Sequence, residues 1–163
     1  MPNDFNGLPL HPLVVHATVV IIPLAAVTVI LFALWPRFRA WAGPLPMVLS
    51  LVGLVLVPLS TSTGETLEKH TAKSALLERH TQLADGLLPW MIGLFVFSLV
   101  GYALYRRSIS GHSVARALTA GVAVLAIVAS AGTSVQVARI GHAGAKAAWD
   151  DTNMSPSSPK PSD

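Results

Sequence analysis

The sequence predicts an all-α membrane protein, a bundle of four transmembrane helices with both termini on the extracytoplasmic side. Of its 163 residues, 52% are hydrophobic and only 12% are charged, and the mean hydropathy is +0.59. Four uncharged windows are each about 20 residues long, the length at which a helix crosses the hydrocarbon core of a bilayer. These windows are residues 13–35, 44–63, 86–105 and 117–138. A soluble protein of this size would expose most of that apolar surface to water, so the windows predict an integral membrane protein.

The first predicted helix covers residues 12–35. Pro12 suits the first turn of a helix, where its missing N–H group has no partner to lose. Pro23 removes one internal backbone hydrogen bond and should bend the helix. The segment has no basic region before its apolar run and is longer than the apolar core of a signal peptide, so we expect it to be retained.

The second predicted helix covers residues 44–66 and ends in a run of hydroxyl side chains, residues 60–63, followed by Gly64. Serine and threonine in a helix can donate hydrogen bonds to backbone carbonyls of the preceding turn. Beyond this run the chain continues through Glu65 and Glu68 towards His70. We expect these three side chains at the outer mouth of the bundle.

The third predicted helix covers residues 74–106. Leucine and alanine recur at three- and four-residue steps from Leu76 to Leu88, the periodicity of one helix face. His80 lies on this apolar stripe and is therefore expected to face the bundle. Pro89 should kink the helix near Asp85, whose carbonyl loses its backbone partner.

The fourth predicted helix covers residues 113–140 and is rich in small side chains. Four of them recur at four-residue steps and predict a ridge on which another helix can pack: Ala126, Ser130, Ser134 and Ala138. Gln136 needs a polar partner, either across the bundle or in water. Gly141 is expected to cap the C-terminus of the helix.

One membrane domain, residues 1–148, is expected to contain all four helices. Residues 149–163 are polar and rich in proline and serine, so they cannot bury enough apolar surface to fold. We expect them to form a disordered tail.

Loop charges predict the orientation. Residues 1–12 contain no Lys or Arg, whereas Arg37 and Arg39 follow the first helix. The positive-inside rule therefore places the N-terminus outside and, after four crossings, the C-terminus outside as well. The cytoplasmic connections then carry five arginines: Arg37, Arg39, Arg106, Arg107 and Arg116. All eight acidic residues lie on the opposite side.

Several kinds of chemistry are excluded or disfavoured by the composition. The chain has no cysteine, so disulfides and thiolate metal sites are unavailable. The net charge of +3 comes without a basic patch interleaved with aromatic residues, which argues against nucleic-acid binding. Glu65 and Glu68 are three residues apart, yet beside Lys69 they are more typical of a solvated surface than of a catalytic pair. We predict no catalytic residue and favour a protein that is not an enzyme by itself.

Five of the six histidines fall at the outer end of the predicted helices: His11, His16, His70, His80 and His142. Neutral imidazoles that converge from different helices are the ligands a bundle offers to haem iron or a transition metal. His16, His80 and His142 are the first candidates because they come from three helices at one depth. The weaker candidates are His11, His70, Glu65, Glu68 and Asp85.

Four short motifs carry a resemblance to a known family. They are His11-Pro12 with His16 after three further residues, Thr63-Gly64, His80 within the run HTQLAD, and Gly141-His142-Ala143-Gly144. In their order, over roughly residues 8–149, they resemble the domain-of-unknown-function 2231 family, small bacterial membrane proteins with four helices.

This resemblance implies a multi-pass protein of a bacterial cell membrane and brings no biochemical activity with it. Members of the family resemble proteins found beside, or fused to, cytochrome c-type modules, which implies redox chemistry by association. The family pattern often has Glu where this chain has Thr81, and Gly where it has Ala145.

The leading functional hypothesis is a redox module that holds haem b or a transition metal ion near its outer mouth and passes electrons to a partner protein. A structural histidine cluster that joins helix ends is the competing interpretation of the same residues, and proton handling is a third. A different class of function is a non-catalytic subunit or scaffold that docks a partner protein or a second copy of the chain. A small-solute or ion transporter is disfavoured because the bundle centre lacks polar residues and the sequence has no pair of inverted broken helices.

Overall fold

The computed structural model of the protein describes residues 4–5, 8–68 and 75–149. Six helices form the fold: α1 (Leu10–Leu34), α2 (Pro36–Ala42), α3 (Leu45–Glu68), α4 (Ala75–Asp85), α5 (Leu87–Ile109) and α6 (Arg116–Trp149). Ahead of α1, the two-residue strands β1 (Asp4–Phe5) and β2 (Leu8–Pro9) pair antiparallel. Four helical stretches are long and apolar enough to cross a membrane: His11–Leu34, Leu45–Thr66, Ala75–Ile109 and Arg116–Trp149. The predicted all-α fold with four spanning helices is confirmed.

A short helix that the sequence analysis did not separate follows α1. Trp35 is extended, with φ −119° and ψ 102°, because a residue before proline is disfavoured in the helical region. Pro36 then occupies the first position of α2, where it has no helical partner to lose. Arg39 of α2 turns back and donates from Nε to the Phe32 carbonyl and from Nη2 to the Ala33 carbonyl, both at 2.8 Å. These carbonyls belong to the last turn of α1, so Arg39 caps that helix.

The hydroxyl run in α3 bonds to its own backbone, as its composition predicts. Thr61 donates to the Pro58 carbonyl at 3.1 Å, and Thr63 donates to the Leu59 carbonyl at 2.9 Å. These bonds hold the polar turns of α3 in register after Pro58, which cannot donate a backbone hydrogen bond of its own. The helix continues to Glu68, and the predicted candidate His70 lies outside the described residues.

The third predicted helix is two helices. We expected one helix over residues 74–106 with a kink near Asp85, and the structure instead breaks it at Gly86, between α4 and α5. Pro89 has no N–H group for the Asp85 carbonyl, so the last turn of α4 cannot continue into α5 with regular hydrogen bonds. The Leu83 carbonyl at this break accepts a hydrogen bond of 2.6 Å from Nε2 of Gln136 on α6. The expected polar partner of Gln136 therefore lies across the bundle.

The last helix is longer than expected. We predicted its end near residue 140 with Gly141 as a cap, but α6 continues through Gly141 and Gly144 to Trp149. Its buried face continues past the membrane-spanning part through Gln136 and Ala143, and α6 packs there against α4. Packing of a buried face outweighs the roughly 1 kcal/mol that a glycine costs inside a helix, so Gly141 does not end it.

The predicted small-residue ridge on the fourth helix is only half correct. Ala126 and Ser130 are buried, whereas Ser134 and Ala138 are exposed. Residues four apart are rotated by about 40° around a helix of 3.6 residues per turn, so a strict four-residue row leaves the buried face after two steps. The buried positions step by three and four instead, as in Ala126, Ala129, Thr133 and Gln136.

Four helices pack in a square arrangement. The neighbours of α1 are α3 and α6, the neighbours of α5 are also α3 and α6, and α1 lies diagonally from α5. The centre of the bundle contains Ile22, Met91 and Leu94, each with no exposed surface. Gly53 of α3 allows the Met91 side chain to come close, since a Cβ there would lie 2.7 Å from the Met91 Cε. The core is therefore mainly apolar, and it also contains the fully buried hydroxyl side chains of Ser50, Ser130 and Thr133.

The two ends of the bundle differ in chemistry. We call the end where α1 begins and α4 packs on α6 the histidine end, and the end formed by α2 and the α5–α6 connection the arginine end. The arginine end carries Arg37, Arg39, Arg106, Arg107 and Arg116. The sequence has no Asp or Glu anywhere in residues 10–64 or 86–149, so no carboxylate from these segments accompanies the five arginines.

Candidate functional site at the histidine end

His80 is held between α4 and α6. Its Nδ1 lies 3.1 Å from the backbone carbonyl of Ile140, and the side chain is partly buried. A carbonyl oxygen can only accept, so Nδ1 carries the proton and donates it. In the neutral imidazole, Nε2 then has an unshared electron pair. The bond fixes both the ring orientation and the tautomer of His80.

His11 is held between α1 and α3 in a similar way. Its Nδ1 lies 3.2 Å from Oγ1 of Thr63. A hydroxyl can donate or accept, so Thr63 is compatible with either neutral tautomer of this histidine. The Thr63 hydroxyl itself reaches the carbonyl of Leu59. When the Thr63 hydroxyl donates to the Leu59 carbonyl, its oxygen can accept a hydrogen bond from Nδ1–H of His11. In that neutral tautomer, Nε2 of His11 is unprotonated.

Each of these two rings lies against a glycine of the neighbouring helix. A Cβ on Gly64 would stand 3.1 Å from Cε1 of His11, and a Cβ on Gly144 would stand 3.0 Å from Cε1 of His80. Both distances are well below an ordinary carbon–carbon contact of about 3.5–4.0 Å. A Cβ in either place would therefore require the ring to move by a few tenths of an ångström. We call His11 with Thr63 and Gly64, and His80 with Ile140 and Gly144, the two histidine seats.

The two seats lie at the same end of the bundle. One seat joins α1 to α3 and the other joins α4 to α6, so the pair links both halves of this end of the bundle. The arrangement fixes two imidazoles, of which at least His80 presents a free Nε2.

The remaining predicted histidine ligands are not held in this way. His16 is exposed, and its Nδ1 lies 2.6 Å from the Pro12 carbonyl one turn earlier in its own helix. His142 is also exposed, and it lines a cleft of about 370 Å³ between α4 and α6. Three cationic side chains line the same cleft: Arg79, Arg139 and Lys146. A cleft with three positive charges repels a metal cation.

The structure does not bring His16, His80 and His142 together. Among the side chains that the structure describes, no three of His, Cys, Asp or Glu lie close enough to hold a metal ion. The acidic candidates Glu65 and Asp85 are exposed, while the Glu68 side chain lies outside the described part. Equal depth along four helices does not fix the direction in which each side chain points.

Sequence reasoning ranked His11 too low, since its position at the start of α1 suggested a solvated ring. The motifs did contain a signal for these contacts. Each of the two held histidines lies against a glycine from another motif, His11 against Gly64 and His80 against Gly144. The Ile140 carbonyl could not have been found, because a backbone acceptor leaves no mark in the sequence.

Comparison with known proteins agrees with the fold. No curated protein and no solved structure matches the chain. Residues 7–154 match the family described as "Predicted membrane protein (DUF2231)", and the matched region contains both histidine seats and all four spanning helices. The chain therefore belongs to the DUF2231 family of predicted membrane proteins.

Proposed function

We propose that the protein is a cofactor-binding membrane module in which Nε2 of His80 and Nε2 of His11 ligate one transition-metal centre at the histidine end. The observation that carries the proposal is the bond from His80 Nδ1–H to the Ile140 carbonyl. Histidines that ligate metals donate their other ring nitrogen to a carbonyl, a carboxylate or water, which fixes the ring and makes the ligating nitrogen a better donor. His80 already has this arrangement.

His11 supplies the second ligand. Its Nδ1 is held by Thr63, and a metal on Nε2 selects the tautomer in which Nδ1 donates to the Thr63 oxygen. Two fixed imidazoles from different helices are thus a coherent donor pair.

Two imidazoles leave coordination positions open. Water, a substrate or a group from a partner protein would fill them, since the described side chains offer no third metal ligand. Imidazole suits zinc, copper, iron and nickel, and the same nitrogens serve as axial ligands of haem iron. Copper or iron would change valence and carry electrons to a partner, whereas zinc would not. The metal therefore decides whether the module has a redox function.

The deciding experiment measures metal content and visible absorption on the protein purified in mild detergent, oxidised and then reduced. We expect a stoichiometric metal in the wild type and loss of at least half of it in His80→Ala and in His11→Ala. His16→Ala is the matched control and should keep full occupancy, because its ring bonds only within its own helix. A Soret band that shifts on reduction identifies haem, and its absence with retained metal identifies a bare ion.

Two results would overturn the proposal. One is a wild-type protein free of metal after expression in medium supplied with zinc, copper, iron and nickel. The other is full occupancy in both His11→Ala and His80→Ala. Either result would favour the scaffold hypothesis, in which the histidine seats only join helix ends and the protein docks a partner.

A further inference from the structure

A cavity at the arginine end has a volume of about 540 Å³, within the roughly 300–1,000 Å³ typical of ligand pockets. Most of its lining comes from α1, α5 and α6, with Arg39 of α2 and Pro46 of α3, and it is separate from both histidine seats. Its deep wall is formed by apolar side chains that include Val29, Phe97 and Ala126. Its mouth carries Arg39, Arg116 and Tyr105. The cavity thus has an apolar interior and a cationic opening.

Ser98 is a polar residue of the cavity wall, at the middle of α5, and its hydroxyl proton is already used within the protein. The Ser98 hydroxyl donates to the Phe95 carbonyl of its own helix at 2.9 Å. Gly101 contributes open space to the wall, since a Cβ there would come no closer than 3.9 Å to Phe32 and Val122. An apolar space of this size gains free energy by taking up a hydrocarbon chain rather than water.

Arg39 is already fixed at the mouth. Its guanidinium donates two hydrogen bonds to the end of α1 and lies over the Phe32 ring, with 5.4 Å from Cζ to the ring centroid. A guanidinium has five N–H donors, so three remain for an anion. Arg116 faces the same cavity from the first turn of α6.

The two arginines lack a carboxylate that could neutralise them from the neighbouring helices. Residues 10–64 and 86–149 contain no acidic residue, and these segments include every residue that lines the cavity. A phosphate group matches the fork of N–H donors of a guanidinium, and basic pockets between transmembrane helices suit lipid headgroups.

We propose that this cavity binds an anionic phospholipid, with one acyl chain between α1, α5 and α6 and the phosphate on Arg39 and Arg116. The apolar depth favours a lipid over a soluble anion, which would leave that surface without a partner. The bilayer supplies such lipids at the level of the arginines. The inference is independent of the metal proposed at the opposite end.

The test is native mass spectrometry of the delipidated protein titrated with phosphatidylglycerol or phosphatidylcholine. We expect one tightly bound phosphatidylglycerol and weaker binding of phosphatidylcholine. Arg116→Gln should weaken phosphatidylglycerol binding roughly tenfold, because it removes a hydrogen-bonded charge. Arg107→Gln is the matched control, since it removes an exposed charge at the same end without lining the cavity. Arg39→Gln is avoided because Arg39 also caps α1.

A second variant tests the acyl chain. Ala123→Phe places a large ring in the cavity and should reduce phosphatidylglycerol binding at least tenfold while the melting temperature in detergent stays near that of the wild type. Equal binding by Arg116→Gln and Arg107→Gln would overturn the headgroup assignment. Unchanged binding by a folded Ala123→Phe would overturn the chain assignment. If inorganic phosphate stabilised the protein as much as phosphatidylglycerol does, the cavity would be a simple anion site. That result would overturn the proposal that it binds a lipid.

Discussion

At the residue scale, the histidine end depends on glycines as much as on histidines. Gly64 and Gly144 contribute no side chain, and this allows the His11 and His80 rings to lie flat enough against α3 and α6 to reach their hydrogen-bond partners. A methyl group in either place would push a ring outward and lengthen a bond that is already 3.1–3.2 Å. The geometry of each seat is thus set by the absence of a Cβ.

Gly144→Ala should therefore harm the protein, although alanine usually stabilises a helix. We expect a loss of about 1–3 kcal/mol from overpacking against His80 and a parallel loss of bound metal. Gly141→Ala, one turn away on the same helix, meets nothing within 4 Å and should be neutral or stabilising by about 0.5–1 kcal/mol. Thermal unfolding in detergent compares the two. Equal melting temperatures would show that His80 moves aside without cost.

At the element scale, the junction between α4 and α5 depends on one side chain from α6. The amide of Gln136 is buried and donates to the Leu83 carbonyl, and it also lies over Gly86, where a Cβ would stand 2.9 Å from Nε2. The helix break and its polar partner therefore form one unit. The amide ties α4, and with it His80, to the end of the membrane bundle.

Gln136→Met keeps the approximate length of the side chain and removes the donor. The Leu83 carbonyl then loses its partner in a partly buried place, which should cost about 1–3 kcal/mol of stability. Amide hydrogen exchange should also accelerate more in α4 than in α5, relative to the wild type. Gln82→Met serves as the control, because Gln82 is exposed and bonds only to Glu78. A variant Gln136→Met with unchanged exchange in α4 would contradict this role.

Sequence patterns predicted the spanning helices well, because hydropathy over about 20 residues reports directly on membrane crossing. They predicted a kink near Asp85 from the missing N–H of Pro89, but not that the helix would break there into α4 and α5. They did not predict which histidines come together. His11 and Thr63 are 52 residues apart, and His80 and Ile140 are 60 apart, so both contacts depend on helix rotation that no local pattern encodes. The length of α6 was missed because its final turns are stabilised by α4 rather than by their own composition.

At the scale of the whole molecule, the difference in charge between the two ends predicts an orientation in the membrane. Arginines are enriched in cytoplasmic loops, so the arginine end should face the cytoplasm and the histidine end the outside. Because the chain has no cysteine, single cysteines can be introduced without background labelling. Gln82 at the histidine end and Ser113 in the α5–α6 connection are exposed positions for this purpose.

A membrane-impermeant maleimide added to intact cells should label Gln82→Cys and should label Ser113→Cys only after the membrane is permeabilised. Both variants replace exposed polar side chains, so neither is expected to disturb the fold. The opposite labelling pattern would invert the orientation. Labelling of both positions in intact cells would contradict a common transmembrane bundle between them.

The length of α6 determines where the His80 seat lies relative to the lipid. Its 34 residues extend about 50 Å at 1.5 Å per residue, while a hydrocarbon core is about 30 Å thick. If the hydrocarbon begins at Arg116, it ends near Gln136, and the turn that carries Ile140 and Gly144 lies beyond it. The metal proposed at His80 would then arrive by diffusion from the aqueous phase, without being dehydrated in hydrocarbon. The same reach makes a metal there removable by a water-soluble chelator that never enters the membrane.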